Sequence, residues 1–277
     1  MKSTIEEIYL PSKGEIIDII NMTPEIKLFK IKPKKQFHYH PGEFIMLSLC
    51  GKGEVPISLT STFGFHKHIE LCIRRVGHIT TAISELRPHS EIGIRGPLGN
   101  MFPIENARGQ DVLFVAGGLG IAPLRPLINK VVNEKKHFKR VVLIYGSRNP
   151  SEILFKDEMD SWEKKGVRLI LTVEKKDKRW QGKVGRVTEY PKISKISFMN
   201  AYAFICGPPV MINVTMQSLS MMGMHEDNIF TSLEAHMKCG VGKCGHCYIG
   251  SKYICTNGPI FSYAEIKNDA LRTSHKS

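Results

Sequence analysis

The fold is decided by the stretch VLFVAGGLGIAP, residues 112–123, in which a continuous apolar run leads into a glycine-rich turn. An apolar run without alternation is typical of a strand that is buried on both faces, as in a parallel sheet. The turn comes directly before a predicted helix, where glycines let the backbone approach a pyrophosphate at the helix N-terminus. Pro123 replaces the third glycine of the common dinucleotide fingerprint, so a tight turn without a ligand is the alternative.

The segments on either side extend this unit into a larger organisation. Three more apolar runs alternate with helical segments up to about residue 230, which predicts a doubly wound α/β domain with ligands at the carboxyl ends of its strands. Before this domain, short strands separated by turns predict a small antiparallel β-barrel. These strands are expected at residues 15–20, 26–31, 44–49, 57–61, 69–76 and 91–95. We therefore expect a barrel at 1–106, an α/β domain at 107–230 and a small lobe at 231–277.

Four of the seven cysteines lie in this C-terminal lobe, within a stretch of 17 residues. The motif Cys239-x4-Cys244-x2-Cys247-x7-Cys255 matches the spacing of plant-type [2Fe–2S] sites. The loop between the first and third of these cysteines also contains three glycines, which relieve crowding around a cluster. A structural zinc site is the alternative, although zinc ribbons usually have two C-x2-C pairs and this segment has one.

The composition places the chain among ordinary globular proteins. Of 277 residues, 42% are apolar and 23% are charged, and 39 Lys and Arg against 26 Asp and Glu give a net charge of +13. We find no ribonucleoprotein motif or helix-turn-helix signature, and the basic residues are dispersed, so we expect no nucleic-acid binding. Lysine-rich stretches such as residues 174–179 are interpreted as solvated surface. No apolar run of membrane-spanning length and no signal-peptide pattern are present, so we expect a cytoplasmic protein without a membrane span.

Five motifs, in their order along the chain, resemble the ferredoxin–NADP reductase superfamily. They are VPIS (55–58), IRRVGHITT (73–81), GPLGN (96–100), GGLGIAP (117–123) and CGPPVM (206–211). With the cysteine segment added, the chain is similar to flavin-containing subunits of multi-subunit enzymes. These are the gamma subunit of soluble [NiFe] hydrogenases (sulfhydrogenases), the B subunit of anaerobic sulfite reductase and, more distantly, the electron-transfer subunit of dihydroorotate dehydrogenase.

This resemblance implies FAD in the barrel domain. The superfamily holds its flavin with an Arg-x-Tyr-Ser motif, of which only Ser58 survives here, as a hydrogen-bond donor to the reactive flavin N5. Arg74 is the implied charge for the pyrophosphate, and a surface arginine is the alternative. The other implied flavin contacts are Pro56, Ile57, Ile73, Val76, Gly77, Thr80 and Thr81.

The resemblance also implies a nicotinamide site in the α/β domain and the four cysteines as cluster ligands. Cys206 would sit near the reactive C4 of the nicotinamide; a buried cysteine that fills the core is the alternative, and both roles are compatible. Arg148 would meet the adenosine ribose or its 2′-phosphate, and a solvated loop arginine is the alternative. The other implied contacts are Gly118, Gly120, Ala122, Pro123, Gly207 and Pro208.

Together these features predict an NAD(P)H-dependent flavin and iron–sulfur oxidoreductase subunit. A flavin belongs between nicotinamide and cluster, because nicotinamide passes two electrons at once and a cluster passes one. Electrons would flow to or from an iron–sulfur or metal-containing catalytic subunit of hydrogenase or sulfite reductase type. The alternatives are a stand-alone NAD(P)H–ferredoxin reductase, the dihydroorotate dehydrogenase subunit, or a zinc-stabilised interaction protein.

Overall fold

The computed structural model describes residues 8–35, 38–61 and 67–270. These residues divide into two compact units. The first unit combines the described residues up to Met101 with Glu234–Pro259. The second unit combines Phe102–Leu233 with the described residues from Ile260 onward. The segment with the four cysteines is therefore part of the first unit.

The first unit is built on a six-stranded antiparallel sheet with the strand order β4-β3-β6-β1-β2-β5. The chain after β4 reaches β5 through a hydrogen bond of 3.0 Å from the amide of Thr60 to the carbonyl of Glu70, which brings the two edge strands together as in a barrel. The elements are β1 (Ser12–Asn21), β2 (Ile26–Pro33), β3 (Phe44–Leu49), β4 (Gly53–Ser58), β5 (Ile69–Arg74), α1 (His78–Ser84) and β6 (Glu91–Leu98).

The second unit is built on a seven-stranded sheet with the order β10-β9-β8-β7-β11-β12-β15, parallel except for the last strand. Strands β7, β8 and β9 extend the sheet in one direction, and β11 then pairs on the other side of β7. This reversal of strand order is a topological switch point, where such sheets bind ligands. The elements are β7 (Asp111–Gly117), α2 (Ile121–Asn133), β8 (Val141–Ser147), α3 (Lys156–Lys164), β9 (Val167–Val173), β10 (Lys183–Val184), β11 (Ala201–Cys206), α4 (Pro209–Met221) and β12 (Ile229–Ser232).

The C-terminal part of the chain contributes to both units. In the first unit, a two-stranded hairpin and a short helix follow the cysteine loop, residues 239–247. The chain then adds an antiparallel edge strand and a helix to the second unit. These elements are β13 (Tyr248–Ile249), β14 (Lys252–Tyr253), α5 (Ile254–Asn257), β15 (Ile260–Ser262) and α6 (Tyr263–Ala270).

The predicted fold class, an antiparallel barrel followed by a doubly wound α/β domain and a C-terminal cysteine lobe, is confirmed. One strand prediction was displaced: β4 begins at Gly53, whereas the sequence predicted a strand from Ile57. Proline removes a ladder hydrogen bond, but Pro56 is tolerated because β4 is an edge strand. Within the described residues, every helix is too short or too polar to cross a membrane.

Candidate redox-cofactor sites

The cysteine loop surrounds its own sulfur atoms with backbone amides. The sulfur of Cys239 accepts hydrogen bonds from three of the next five amides along the chain, at 3.3 to 3.5 Å. The amide of Gly242 donates to the sulfur of Cys255 at 3.1 Å. Amide donors directed at thiolate sulfurs stabilise iron–sulfur clusters and tune their potentials. The loop therefore fits a group that is held by thiolates.

The four thiols lie as two neighbouring pairs. The sulfurs of Cys247 and Cys255 are 3.2 Å apart, and burial, together with Cys247, raises the pKa of Cys255 to about 11. In the other pair, hydrogen bonds from the amide of His246 and from Cys239 lower the pKa of Cys244 to about 7. In the part of the chain that the structure describes, no three His, Cys, Asp or Glu side chains are arranged around a single metal-ion position.

The cysteine segment lies against the outer face of strands β3 and β6. Ile45 and Leu47 of β3 point into the barrel core, so Met46 between them points outward, yet its exposed fraction is 0%. A Cβ atom built on Gly240 would lie 2.9 Å from Cγ of Met46. Gly99, just beyond β6, also lies against the segment, since a Cβ atom there would lie 2.5 Å from Pro259. The cysteine loop therefore packs against the outer face of this sheet.

Ser58 lies on the same outer face. Val55 and Ile57 of β4 pack against the barrel core, so Pro56 and Ser58 point to the other side. Pro56 is paired with Met46, the residue that contacts the cysteine loop. Two residues along a strand span about 7 Å, so the predicted flavin contact Ser58 and the cysteine loop share one short stretch of sheet.

The other predicted flavin contacts have different surroundings. The side chain of Ile73 belongs to the barrel core, which leaves its backbone for a ligand. Arg74 is half-buried and lies within electrostatic range of Glu234. Removal of water around its carboxyl raises the pKa of Glu234, and the positive charge of Arg74 acts in the opposite direction. Arg74 therefore has a carboxyl neighbour that the sequence did not indicate.

The start of α1 is organised by one side chain. The hydroxyl of Thr80 accepts hydrogen bonds from the amides of Val76 and Gly77, at 3.1 and 3.0 Å, and Thr81 donates its amide to the carbonyl of Gly77. The amides of Val76 and Gly77, two of the implied flavin contacts, are therefore already occupied within the chain. The first-turn amides of a helix have no intrahelical partner, so a phosphate would meet the amides of residues 78–80.

In the second unit, the two glycine-bearing turns meet at the switch point of the sheet. Strands β7 and β11 are adjacent, with Ala116 paired to Cys206, so both turns begin at the same carboxyl edge. A Cβ atom on Gly120 would lie 2.2 Å from the carbonyl oxygen of Cys206, and one on Gly117 would lie 2.5 Å from Sδ of Met211. The sequence explained Gly120 by the approach of a pyrophosphate. The structure shows that the neighbouring strand end already requires a glycine there.

The remaining nicotinamide candidates lie along the same edge. Cys206 is only 2% exposed, so its side chain is packed at the end of β11, where the nicotinamide site is also predicted. Arg148 is exposed and follows β8, and its carbonyl accepts the amide of Lys175, which follows β9, at 2.8 Å. Beside this link is a cavity of about 300 Å³ lined by Asn149, Pro150, Ser151, Lys175, Lys176 and Asp177. The sequence assigned these lysines to solvated surface, and only the sheet topology places them beside Arg148.

Three family models match the chain. The oxidoreductase FAD-binding domain matches residues 13–102, and the oxidoreductase NAD-binding domain matches residues 114–217. The iron–sulfur cluster binding domain of dihydroorotate dehydrogenase B matches residues 234–267. The barrel, the parallel sheet and the cysteine segment thus each have a counterpart, and the chain is an FAD-, NAD- and iron–sulfur-binding oxidoreductase of the ferredoxin reductase fold.

The chain belongs to the family of sulfhydrogenase gamma subunits and dihydroorotate dehydrogenase electron-transfer subunits. Sulfhydrogenase 2 subunit gamma of Pyrococcus furiosus is 38% identical over 96% of this chain and 98% of that protein. A probable dihydroorotate dehydrogenase B electron transfer subunit of the same organism is 32% identical over 88% of this chain and 87% of that protein. A solved structure of an NADH-dependent reduced ferredoxin–NADP oxidoreductase is 25% identical, with a TM-score of 0.74, and covers 98% of this chain and 95% of that one.

Proposed function

We propose that this chain is the electron-transfer subunit of a larger redox enzyme and moves electrons between NAD(P)H, FAD and a [2Fe–2S] cluster, to or from a partner catalytic subunit. When bound, FAD exchanges two electrons with nicotinamide and single electrons with the cluster. The observation that carries the proposal is the shared sheet face, on which Ser58 of β4 and the cysteine loop lie a few residues apart. The chain supplies positions for the redox groups, and no acid–base pair is needed for hydride transfer.

The cluster ligands in this proposal are Cys239, Cys244, Cys247 and Cys255. The x4-x2 spacing, the amide donors around the sulfurs and the matched iron–sulfur domain support a [2Fe–2S] cluster. Metal and acid-labile sulfide analysis of anaerobically purified protein tests this assignment. We expect two irons and two sulfides per chain, whereas stoichiometric zinc without sulfide would overturn it.

For the flavin, we propose that Ser58 donates a hydrogen bond to N5 and that Arg74 and the start of α1 face the pyrophosphate. The same proposal assigns supporting contacts to Pro56, Ile57, Ile73, Val76, Gly77, Thr80 and Thr81. A pyrophosphate contact requires FAD, so the cofactor released from the protein is expected to be FAD and not FMN. Arg74→Ala is expected to weaken FAD retention, and unchanged occupancy would remove Arg74 from the site.

For the nicotinamide coenzyme, we propose the carboxyl edge between β7 and β11. The contacts are assigned to Gly118, Gly120, Ala122, Pro123, Cys206, Gly207 and Pro208. At the adenosine end, Arg148 lies next to a cavity whose charged lining residues are Lys175, Lys176 and Asp177. Charge-assisted hydrogen bonds from the arginine and lysine side chains would favour the 2′-phosphate of NADPH.

These assignments give each of the three domains expected from the sequence its own cofactor. Residues 1–106 would bind FAD, residues 107–230 would bind NAD(P)H, and residues 231–277 would hold the cluster. The cluster domain extends over both structural units, because its cysteines lie in the first unit and β15 lies in the second.

The partner in this proposal is an iron–sulfur or metal-containing catalytic subunit of the hydrogenase or sulfite reductase type, in the cytoplasm. The relatives named gamma or electron-transfer subunits support this part of the proposal. Native purification from the source cells without overexpression tests it. Co-elution with a metal-containing catalytic subunit is the expected result, and recovery solely as a monomer that rapidly reduces ferredoxin would replace the proposal with a stand-alone reductase.

A second candidate is the electron-transfer subunit of a dihydroorotate dehydrogenase. It is favoured by the family model that matches the cysteine segment and by several relatives that are at least 30% identical. The two candidates share every site in this chain and differ only in the partner. Assays of the purified complex for dihydroorotate oxidation, for hydrogen oxidation and for sulfite reduction separate them.

A further inference from the structure

Arg95 is a charged residue in an unusually enclosed position. It lies on β6, where Ile92 and Ile94 point into the barrel core, so its own side chain belongs to the outer face. It is paired with Met46 on β3, beside the cysteine loop. Its exposed fraction is 5%, and arginines are almost never buried without partners. Neither the FAD-binding nor the nicotinamide assignment uses this residue.

The guanidinium of Arg95 joins three parts of the first unit. Its Nε and Nη2 atoms donate to the two carboxylate oxygens of Glu54 on β4, at 2.9 and 2.6 Å. The same Nη2 donates to the carbonyl oxygen of Cys239 at 2.9 Å, and Nη1 donates to the carbonyl of Ile8 at 2.9 Å. This use of the planar fork depends on arginine, because a lysine ammonium cannot form the two parallel bonds.

We propose that Arg95 is a positioning residue for the iron–sulfur cluster. Through Glu54 it fixes the backbone of Cys239, the first cluster ligand, to the strand that carries Ser58. It also places a positive charge, paired with the negative charge of Glu54, beside the cluster. The inference rests on the proposed function, since it assumes that Cys239 holds a cluster.

The charges give the proposal a signature that a purely structural contact lacks. Reduction adds an electron to the cluster, so a nearby positive charge stabilises the reduced form and a nearby negative charge destabilises it. Removal of the Arg95 charge is therefore expected to lower the reduction potential. Removal of the Glu54 charge is expected to raise it. Since Arg95 and Glu54 are bonded to each other, opposite shifts of the reduction potential in their variants would indicate an electrostatic effect on the cluster.

The test uses the full chain, purified anaerobically, in four variants. These are Arg95→Met, Arg95→Lys, Glu54→Gln and the control Arg108→Met. Arg108 also binds two carboxylates, those of Glu105 and Glu134, but it lies in the second unit. The measurements are iron content, the rate of iron loss to a chelator, and an EPR-monitored redox titration of the cluster. Bleaching of the flavin by NAD(P)H is recorded in each variant as a separate readout.

Arg95→Met is expected to lower the potential and to speed iron loss by about tenfold, the usual effect of removing a residue that orients a metal ligand. Arg95→Lys should have a reduction potential closer to that of the wild type, because the positive charge remains. It should lose iron as fast as Arg95→Met, because lysine cannot form the two parallel hydrogen bonds to Glu54. Glu54→Gln should raise the potential, and Arg108→Met should match wild type in every readout. Flavin bleaching by NAD(P)H should persist throughout.

A wild-type potential and wild-type iron retention in Arg95→Met would overturn the inference. If Arg95→Met does not fold, Arg95→Lys and Glu54→Gln decide, and wild-type behaviour in both would overturn it. Absence of iron and sulfide from the wild-type protein itself would instead contradict the proposed function.

Discussion

Two glycine-rich turns in this chain look alike in sequence and use glycine for different physical reasons. In the turn after β7, Gly120 has an ordinary helical backbone, and what it lacks is space, because a Cβ atom would lie 2.2 Å from the carbonyl oxygen of Cys206. In the cysteine loop, Gly245 has open space around it, and what it needs is a positive φ of 79°. The first turn requires a close contact and the second requires a conformation.

The two turns therefore differ in which part of the structure depends on their glycines. At the switch point, the ends of β7 and β11 are in close contact, so the turn is shaped by packing within the chain. In the cysteine loop, left-handed glycines bend the backbone so that its amides point at sulfur. A substitution at the first turn is expected to disturb the sheet, whereas one in the second should mainly disturb the cluster.

The largest effect is expected from the loss of a cluster ligand. Cys247→Ser should abolish iron and labile sulfide, because it removes one of the four proposed thiolate ligands, whose sulfur lies 3.2 Å from that of Cys255. Cys50→Ser is the matched control, since Cys50 is exposed and lies on the barrel side outside the motif. Iron analysis and the visible spectrum check this prediction. Wild-type iron content in Cys247→Ser would show that the cysteines do not hold the cluster together.

At the switch point, Gly120→Ala is expected to cost about 3 kcal/mol, the upper part of the usual range for overpacking, because the carbonyl it strikes is backbone and cannot rotate away. The control is Gly109→Ala in the same unit, which has a φ of 75° and nothing within 4 Å. Strain alone makes its cost about 1 kcal/mol. Free energies of unfolding measure both. Equal costs would contradict the close-contact account of Gly120.

Within the cysteine loop, Gly240→Ala should weaken iron retention more than Gly245→Ala. Both positions have a positive φ, which costs about 1 kcal/mol with a side chain. Only Gly240 also presses against the buried Met46, at 2.9 Å from its Cγ atom. The rate of iron loss to a chelator is expected to rise in both variants and to rise more in Gly240→Ala. The reverse order would mean that the loop is not seated on β3.

The smallest effect is expected at the adenosine end of the nicotinamide site. Arg148→Ala should raise the KM for NADPH by about tenfold, the equivalent of about 1.4 kcal/mol, and should change the KM for NADH little. Lys176→Ala should shift the preference in the same direction. Steady-state reduction of an artificial acceptor with each coenzyme measures this. Equal losses with both coenzymes would place these side chains away from the 2′-phosphate.

Much of the fold could be read from the sequence because its signals are local. Continuous apolar runs predicted β7, β8, β9 and β11, and the cysteine spacing predicted a thiolate site whose amide donors the structure displays. The short strands β12 and β15 were not predicted. Their pairing joins residues 230–232 to residues 260–262, and no local pattern indicates such a contact.

The seat of the cysteine segment could not be predicted for a related reason. Phe44 and Met46 read as ordinary members of a barrel strand, and only the structure shows that their outward side chains are covered. Arg95 likewise reads as the polar end of a strand. Its side chain binds Glu54, 41 residues away, and Cys239, 144 residues away. Sequence reasoning identified the chemical groups, and tertiary contacts determined what holds them.

In the proposed function, electrons from a nicotinamide coenzyme reach a cluster held by the four cysteines. The decisive experiment is an anaerobic titration of the protein with NADH and with NADPH, followed by visible absorbance and by EPR. We expect the flavin to bleach and the signal of a reduced [2Fe–2S] cluster to appear in the same titration, at about one spin per chain. Flavin bleaching without a cluster signal, in protein whose cluster dithionite does reduce, would contradict the proposal.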